Sequence, residues 1–537
     1  MSLTKNSLYF TLGTLLSRIA GLIREREVGA VFGASALDVF TVAFRIPNLF
    51  RDMLAEGALG AAFTKVYAAT SVDDQKRADR LMVEVLIATS ALATIVTVLG
   101  IIFAPLFVHS LSLFGSLEKR GGQAFIDECI YLTRWLFPYL GLTMLSAVVM
   151  GALHKQGKML LSAASPIIFN ICMILGAIFF VTWFSQGNNT GQLQFLKNPT
   201  LMGLVVGVLL GGFLQILAQL LGLYSSLIKF FNQPTKIKIF SPELKKILVL
   251  MFPMMIAASS AQINVVINTN FAISLESGAV TWLSYAFRLL HLPIALFGVA
   301  IGVALLPALS KSIRQAGDRI TESVNKQMQN AFEIMFWLML PCTAFLLWNS
   351  DAIVNVLYGK GAFAGNDVKQ TALALRAYSW SALGYGLIKV LTAFYFSIDK
   401  TKFAMYVSLG GIGLNILANI LLVPKYGFEG IAYATSILLS VNALILLLGC
   451  FHYGISFNNK NLIRAGIFLI LATTIYYFVN YFAQSILNAT YQDTEAFSHN
   501  LISILLSGII ACAVFLLAML ARFQAKPMQL LGSFRNK

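Results

Sequence analysis

The chain alternates long apolar stretches with short polar loops. Each stretch offers about the 20 apolar residues that an α-helix needs to cross the hydrocarbon core of a bilayer. The pattern predicts an all-α polytopic membrane protein with fourteen transmembrane helices. The predicted spans are residues 7–24, 36–62, 81–109, 130–153, 159–184, 201–228, 245–273, 279–310, 328–348, 368–397, 403–423, 428–450, 462–484 and 500–522.

Composition and charge agree with this prediction. Charged residues are 12% of the chain and hydrophobic residues 58%, whereas soluble proteins carry about 25% charged residues. The even-numbered loops and the termini hold 24 basic residues and the opposite-side segments nine. The positive-inside rule therefore places both termini in the cytoplasm. We attribute the net charge of +16 to these loops and expect no nucleic-acid partner.

Two segments of the chain repeat each other. Residues 135–158 parallel residues 378–402, and each is a helix pair that leads to an Asn-bearing helix, at Asn170 or Asn415. The offset of 244–245 residues fits two six-helix repeats around a central cavity, with two further C-terminal helices. The predicted domains are residues 1–230, 231–455 and 456–537. Parallel repeats of this kind are typical of transporters.

Arginines lie within or at the ends of apolar spans: Arg18 and Arg24 in span 1, Arg51 in span 2 and Arg288 in span 8. A charge at mid-bilayer costs at least about 2.5–3.5 kcal/mol and normally faces a bundle interior or a wet cavity. Because guanidinium binds phosphate through paired hydrogen bonds, we predict a phosphate-bearing cargo. Arg18 and Arg24 do not share a face of a straight helix, so a bend at Gly21 is expected to turn both toward one cavity.

Two alternatives remain open for these arginines. Arg24 could lie at the outer interface among Glu25, Arg26 and Glu27. Arg51 could form a salt bridge with Asp52 or Glu56 instead of binding a ligand.

Span 2 is unusually polar for a membrane segment and contains a proline, Pro47. We predict that it lines a water-filled space or lies partly at the surface, since such a helix cannot face lipid. Asp38 and Arg45, seven residues apart, share a face. The candidate cavity-lining residues here are Asp38, Arg45, Asn48, Asp52 and Glu56.

Span 8 places Arg288 and His291 on one face, shortly before Pro293. Arg288 has no acidic neighbour in its own span, so its counter-charge is expected from another helix or from cargo. We interpret His291 as a packing residue; the alternative is a proton relay.

A neutral polar cluster could form a weak site for a monovalent cation, with hydrogen bonding between helices as the favoured alternative. Its members are Asn268, Asn415, Asn419 and Thr435. The five cysteines and five histidines are dispersed, so no metal site is predicted. No phosphate-cradling GxxxxGK[ST], HExxH or GxSxG motif is present. We therefore expect a transporter, not an enzyme, with no cofactor and with the membrane potential or a monovalent cation as its energy source.

Residues 17–25 (SRIAGLIRE), 31–63, 277–312 and 357–363 (LYGKGAF) resemble the MurJ (MviN) lipid II flippases. These belong to the multidrug/oligosaccharidyl-lipid/polysaccharide exporter superfamily. The resemblance covers nearly the whole chain. It implies a multi-pass protein of the bacterial inner membrane that moves lipid II, an undecaprenyl-diphosphate-linked peptidoglycan precursor, to the outer leaflet by alternating access, for cell wall synthesis. The implied partners are lipid II, membrane lipids and the cell-wall synthesis machinery.

The resemblance also implies roles for single residues. The positions that match the family's central cavity are Arg18, Arg24, Asp38, Arg51, Glu56 and Arg288, with Ser17 beside them. Asp52 stands where a basic residue is frequent, His291 where Glu is frequent, and Glu25 replaces Asp. Spans 13 and 14, with Arg464, are candidate walls of a groove for the lipid tail.

Two other functions fit the same architecture. A flippase for another polyprenyl-diphosphate-linked polysaccharide would handle the same diphosphate. A multidrug antiporter of the superfamily would favour an acidic cavity for cationic drugs, whereas arginine dominates here. A scaffold for wall synthesis would leave the arginines in the spans unexplained.

Overall fold

The computed structural model describes residues 3–111, 122–185, 199–231, 241–317, 319–457, 459–490 and 497–523. All regular structure in these residues is helical, which confirms the predicted class. Eleven helical segments among them are long and apolar enough to cross a membrane, and Ala382–Ser397 is a shorter apolar helix. The first of these segments, Leu12–Val72, covers two predicted spans. The count of fourteen stays a prediction.

The chain forms two compact units, and the first comprises residues 1–281 and 360–363. The predicted boundary near residue 230 adjoins residues 232–240, which lie outside the described residues. The helices of the first unit are α1 (Leu3–Phe50), a π-helix (Arg51–Leu59), α2 (Gly60–Asp73), α3 (Gln75–Ser110), α4 (Gln123–Leu136), α5 (Pro138–Lys155), α6 (Met159–Ala164), α7 (Pro166–Ser185), α8 (Pro199–Phe231), α9 (Pro242–Ile273) and a 3₁₀ helix (Gly361–Phe363).

The second unit comprises residues 282–359 and 364–537. Its helices are α10 (Ala279–Pro293, which begins in the first unit), a second π-helix (Ile294–Gly298), α11 (Val299–Gln315), α12 (Glu322–Trp348), α13 (Ser350–Tyr358), α14 (Asn366–Ser379), α15 (Ala382–Ser397), α16 (Thr401–Tyr426), α17 (Phe428–His452), α18 (Asn459–Thr490) and α19 (Phe497–Phe523). The predicted domain limits stay predictions.

Helix α1 bends at Gly33, and the predicted bend at Gly21 is wrong. Gly33 has φ 69° and ψ 170°, outside the helical region, which a residue without Cβ adopts at no steric cost. An added Cβ there would lie 3.0 Å from the carbonyl oxygen of Ala362. At Gly21 no atom lies within 4 Å of the corresponding position. No close neighbour there forces the helix to bend.

Pro47 lies inside α1 and removes one backbone hydrogen bond, because proline has no N–H to give to the carbonyl of Ala43. Thr133 of α4 supplies the missing donor: its Oγ1 donates to the Ala43 oxygen at 3.1 Å. Both residues are fully buried. The first π-helix begins at Arg51, four residues after this proline. The proline is thus accommodated by α4, and the π-helix carries Arg51, Asp52 and Glu56 of span 2.

Polar side chains join α18 to its neighbours in the second unit. Gln484 donates to Ser507 of α19 at 2.8 Å, and Asn349 donates to the Tyr476 hydroxyl at 3.1 Å. A buried cluster that includes Trp337, Tyr476 and Phe515 packs α18 and α19 against α12. Such contacts hold membrane helices together, because in lipid the hydrophobic effect does not drive the association of helices.

Candidate functional site

Arg24 is held from two sides in the first unit. Its Nη2 forms a salt bridge of 2.8 Å with Glu25 Oε1, and its Nη1 donates to Asn170 Oδ1 of α7 at 2.9 Å. Glu25 is 3% exposed and Asn170 5%. Asn170 is itself fixed, since its Nδ2 donates to the Pro166 oxygen at 3.0 Å and to the Ser17 oxygen at 3.5 Å. These contacts orient the guanidinium and oppose its charge with a buried carboxylate.

Arg51 forms a second basic centre at the start of the π-helix. Its Nε and Nη2 donate to one oxygen, Asp52 Oδ1, at 3.1 and 2.8 Å. Its Nη1 donates to the Tyr139 hydroxyl at 3.4 Å. The other carboxylate oxygen of Asp52 accepts from Gln262 Nε2 of α9 at 3.1 Å. The salt bridge predicted as one alternative for Arg51 is therefore present, with Asp52 as its partner.

Arg18 does not join Arg24. Because the backbone of α1 is helical at Gly21, six residues place the two side chains about 120° apart around the helix. Arg18 is exposed and Ser17 half-buried, whereas Arg24 is turned toward α7. The structure thus separates the first two predicted site arginines.

Asp38 does not line a cavity, which corrects the sequence prediction. It is fully buried and accepts the N–H groups of Gly278 and Thr281 at 2.7 and 2.8 Å. The Thr281 hydroxyl donates to it as well, at 2.8 Å. A helix leaves its first N–H groups without acceptors. The Asp38 carboxylate accepts two such N–H groups at the point where α10 begins. Its role is structural.

The other polar residues of span 2 differ in exposure. Arg45 and Asn48 are half-buried. The Asn48 Oδ1 atom is buried and accepts no hydrogen bond from the described part of the chain. Arg45 is engaged in interactions within the structure. The backbone of Glu56 belongs to the π-helix, but its side chain lies outside the described residues.

In the second unit Arg288 is exposed on α10, and His291 packs among aromatic rings. The His291 ring centroid lies 4.5 Å from that of Phe287 and 5.1 Å from that of Tyr385. These edge-on contacts agree with the packing interpretation of His291.

Sequence reasoning did not single out Lys389 of α15. Its Nζ lies 5.1 Å from the centre of the Tyr385 ring, the same ring that His291 contacts. A lysine inside an apolar span is a functional candidate by the rule applied to the arginines. A charged residue within the predicted span 368–397 was thus the signal in the sequence that indicates Lys389.

The predicted cation-site residues fall in both units. Asn415, Asn419 and Thr435 are buried in the second unit, and Asn268 lies on α9 in the first. Asn419 donates to the Asn415 backbone oxygen at 2.9 Å, and Thr435 donates to the Ile431 oxygen at 3.0 Å. The site stays a prediction, as does the lipid-tail groove beside Arg464, which is exposed.

The described geometry thus offers two arginines within apolar helices, each beside an acid. A multivalent anion could compete with Glu25 or Asp52, because phosphate oxygens accept two parallel N–H bonds from one guanidinium. No group of three or more His, Cys, Asp or Glu side chains within the described ranges is placed to hold a metal ion. The arrangement suits an anionic ligand.

Comparison with known proteins gives consistent results. Residues 28–502 match the family model described as lipid II flippase MurJ. The chain is 32% identical over 445 residues to the lipid II flippase MurJ of Burkholderia cenocepacia, covering 82% of each protein. It is 33% identical over 462 residues to a probable lipid II flippase MurJ of Vibrio cholerae serotype O1, covering 84% of each.

Solved structures share the fold. A lipid II flippase MurJ in an inward closed conformation superposes with a TM-score of 0.75 at 23% identity, covering 96% of this chain and 99% of that one. An inward-facing multidrug resistance transporter of the MATE family and MOP superfamily gives 0.63 at 18% identity, covering 81% and 94%. At these identities the likeness concerns the fold alone.

Proposed function

The chain belongs to the lipid II flippase MurJ family, and from this membership we propose that it moves lipid II from the cytoplasmic to the outer leaflet of the bacterial inner membrane. The protein is a transporter, and the lipid II that it delivers serves cell wall synthesis. The observation that carries the proposal is the family match over residues 28–502. It is supported by relatives of 30% identity or more that cover most of the chain.

The residues of the first unit that we assign to the diphosphate of the cargo are Arg24 and Arg51, and the roles predicted for Arg18 and Arg288 stay predictions. Arg24 and Arg51 are half-buried, with 18% and 24% of their side chains exposed. Each retains access to a ligand while a neighbouring acid and a hydrogen-bonding side chain hold it. Guanidinium suits this task better than ammonium, because its planar fork matches two phosphate oxygens.

We further propose that turnover needs no cofactor and is driven by the membrane potential or a monovalent cation. A negative-inside potential favours the return of an empty, cationic site to the inner side by about 2.3 kcal/mol per charge per 100 mV. Both termini are assigned to the cytoplasm. Reporter fusions near Lys76 and Arg319 should give cytoplasmic signals, and fusions near Gly187 and Asp493, which lie outside the described residues, external ones.

The deciding experiment is complementation. Bacteria depleted of their own lipid II flippase should regain growth, and lipid II should reach the outer leaflet, when this chain is expressed. A matched control is Lys326→Ala, which removes an exposed basic residue from the start of α12 and should complement fully. If the chain restores growth to a strain that lacks a different polyprenyl-diphosphate flippase, but not to the strain depleted of its lipid II flippase, the assigned cargo is wrong.

A further inference from the structure

We propose that Asp52 is a counter-ion that cargo displaces: it neutralises Arg51 in the empty protein and yields Arg51 to the diphosphate when cargo binds. The inference rests on the proposed function and adds a residue that controls binding and release. Asp52 is an acidic residue directly beside the basic residue to which we assign the diphosphate, Arg51.

The geometry of the pair favours exchange. Arg51 uses Nε and Nη2 on a single carboxylate oxygen, at 3.1 and 2.8 Å, so the two groups do not meet in the parallel two-oxygen arrangement. A phosphate can present two oxygens to the same guanidinium edge. The side chains are 24% and 32% exposed, so solvent weakens their attraction. A doubly charged ligand can therefore replace the carboxylate.

Asp52 also connects the basic centre to another helix. Within the described residues, its hydrogen-bonding partners are Arg51 and Gln262. Gln262 belongs to α9, and one turn earlier on that helix Ser259 lies 3.8 Å from Met53 Sδ. Asp52 is thus a charged link between the π-helix and α9.

Displacement would change this link. With diphosphate on Arg51, the Asp52 carboxylate loses its cation and is repelled by the ligand, while Gln262 still donates to it. Asp52 and Gln262 are then expected to move together, which shifts α9 relative to the π-helix. The setting favours such a change, since π-helical turns are rare and concentrate at functional sites. Binding of cargo and the position of α9 become linked, and linkage acts in both directions.

The test separates affinity from turnover. Asp52→Asn keeps an oxygen for Gln262 and removes the charge. We expect the purified variant to bind lipid II about two- to fivefold tighter than the parent protein, because an exposed pair contributes little, and to release and flip it more slowly. Binding is measured by native mass spectrometry with lipid II in detergent, and flipping in lipid II-loaded vesicles. Asp52→Ser is a second uncharged variant, should the first fold poorly.

Gln262→Ala tests the link to α9. It leaves the Arg51–Asp52 pair in place, so affinity for lipid II should stay near that of the parent while flipping falls. A purely structural salt bridge would make Asp52→Asn less stable, with unchanged or weaker binding, and this result would overturn the counter-ion role. Parental flipping by Gln262→Ala would overturn the link to α9. If the parent protein itself does not bind lipid II, the proposed function fails, whatever the variants do.

Discussion

Residues 16–27 of α1 and residues 260–271 of α9 occupy equivalent places in the predicted internal repeat, 244 residues apart, yet only the first segment is charged. Arg24 corresponds to Asn268, and Glu25 to Thr269. Glu25 and Thr269 are both 3% exposed. Glu25 faces an arginine, whereas Thr269 donates to the Val265 oxygen of its own helix at 2.7 Å. Glu25 and Thr269 are thus equally buried, but one forms an ion pair and the other a neutral hydrogen bond.

The amides of α9 meet hydrogen-bonding partners without adding charge. Gln262, the equivalent of Arg18, donates to Asp52. Asn270 donates to the Ser110 and Val266 oxygens at 3.1 and 3.2 Å. Amides satisfy buried polar groups at a lower desolvation cost than ions. The two segments therefore share polar positions, and the one on α1 carries charge at them.

The largest effect should come from giving α1 the residues of α9. Arg24→Asn is expected to abolish flipping and to lower stability by about 3–5 kcal/mol, because it leaves the Glu25 carboxylate buried without its cation. The double variant Arg24→Asn with Glu25→Thr should recover stability, since the threonine hydroxyl can bond to its own helix as Thr269 does. Flipping should stay absent.

Thermal unfolding in detergent and growth complementation, measured side by side, decide this case. A double variant that is stable and active would mean that the charge of span 1 is dispensable. Asn268→Asp is the reciprocal control on α9: if that helix tolerates an acid with no loss of stability, its surroundings do not exclude a charge at this position.

Arg288 is a charged residue within a span of the predicted second repeat, 243 residues after Arg45 in the shared triplet Ala-Phe-Arg. Because Arg288 is exposed whereas Arg45 is half-buried, Arg288→Ala should abolish flipping with little change in stability. Arg288→Lys should restore part of the activity, since ammonium keeps the charge and loses the planar fork. A destabilised Ala variant would instead show that Arg288 belongs to a structural ion pair.

How much the sequence predicts differs between these features. Helical class and the acid beside Arg51 follow from hydrophobic periodicity and from adjacency, both local properties. The bend of α1 does not, because it depends on Ala362, more than 300 residues away in sequence, close to Gly33. The same holds for Asp38, whose partners at Gly278 and Thr281 are set by packing. Contacts distant in the chain leave no periodic signal.

A smaller effect on activity but a large one on stability is expected at Asp38. Asp38→Ala removes three hydrogen bonds to a buried carboxylate, and hydrogen bonds to charged groups contribute about 1.5–3 kcal/mol each, so we expect a loss of at least about 4.5 kcal/mol. Thr281→Val removes the hydroxyl bond alone and should cost about a third as much. Equal losses in chemical denaturation would contradict the capping role.

The smallest effect should be at His291. Its ring lies edge-on against Phe287 and Tyr385, contacts that contribute roughly 0.5–1.5 kcal/mol beyond burial. Gln cannot exchange a proton but fills much of the same space, so His291→Gln should complement growth and flip lipid II at close to the parental rate. Phe287→Leu is the matched control, since it weakens the same packing without touching a titratable group. If His291→Gln is folded and inactive while Phe287→Leu is active, His291 carries protons.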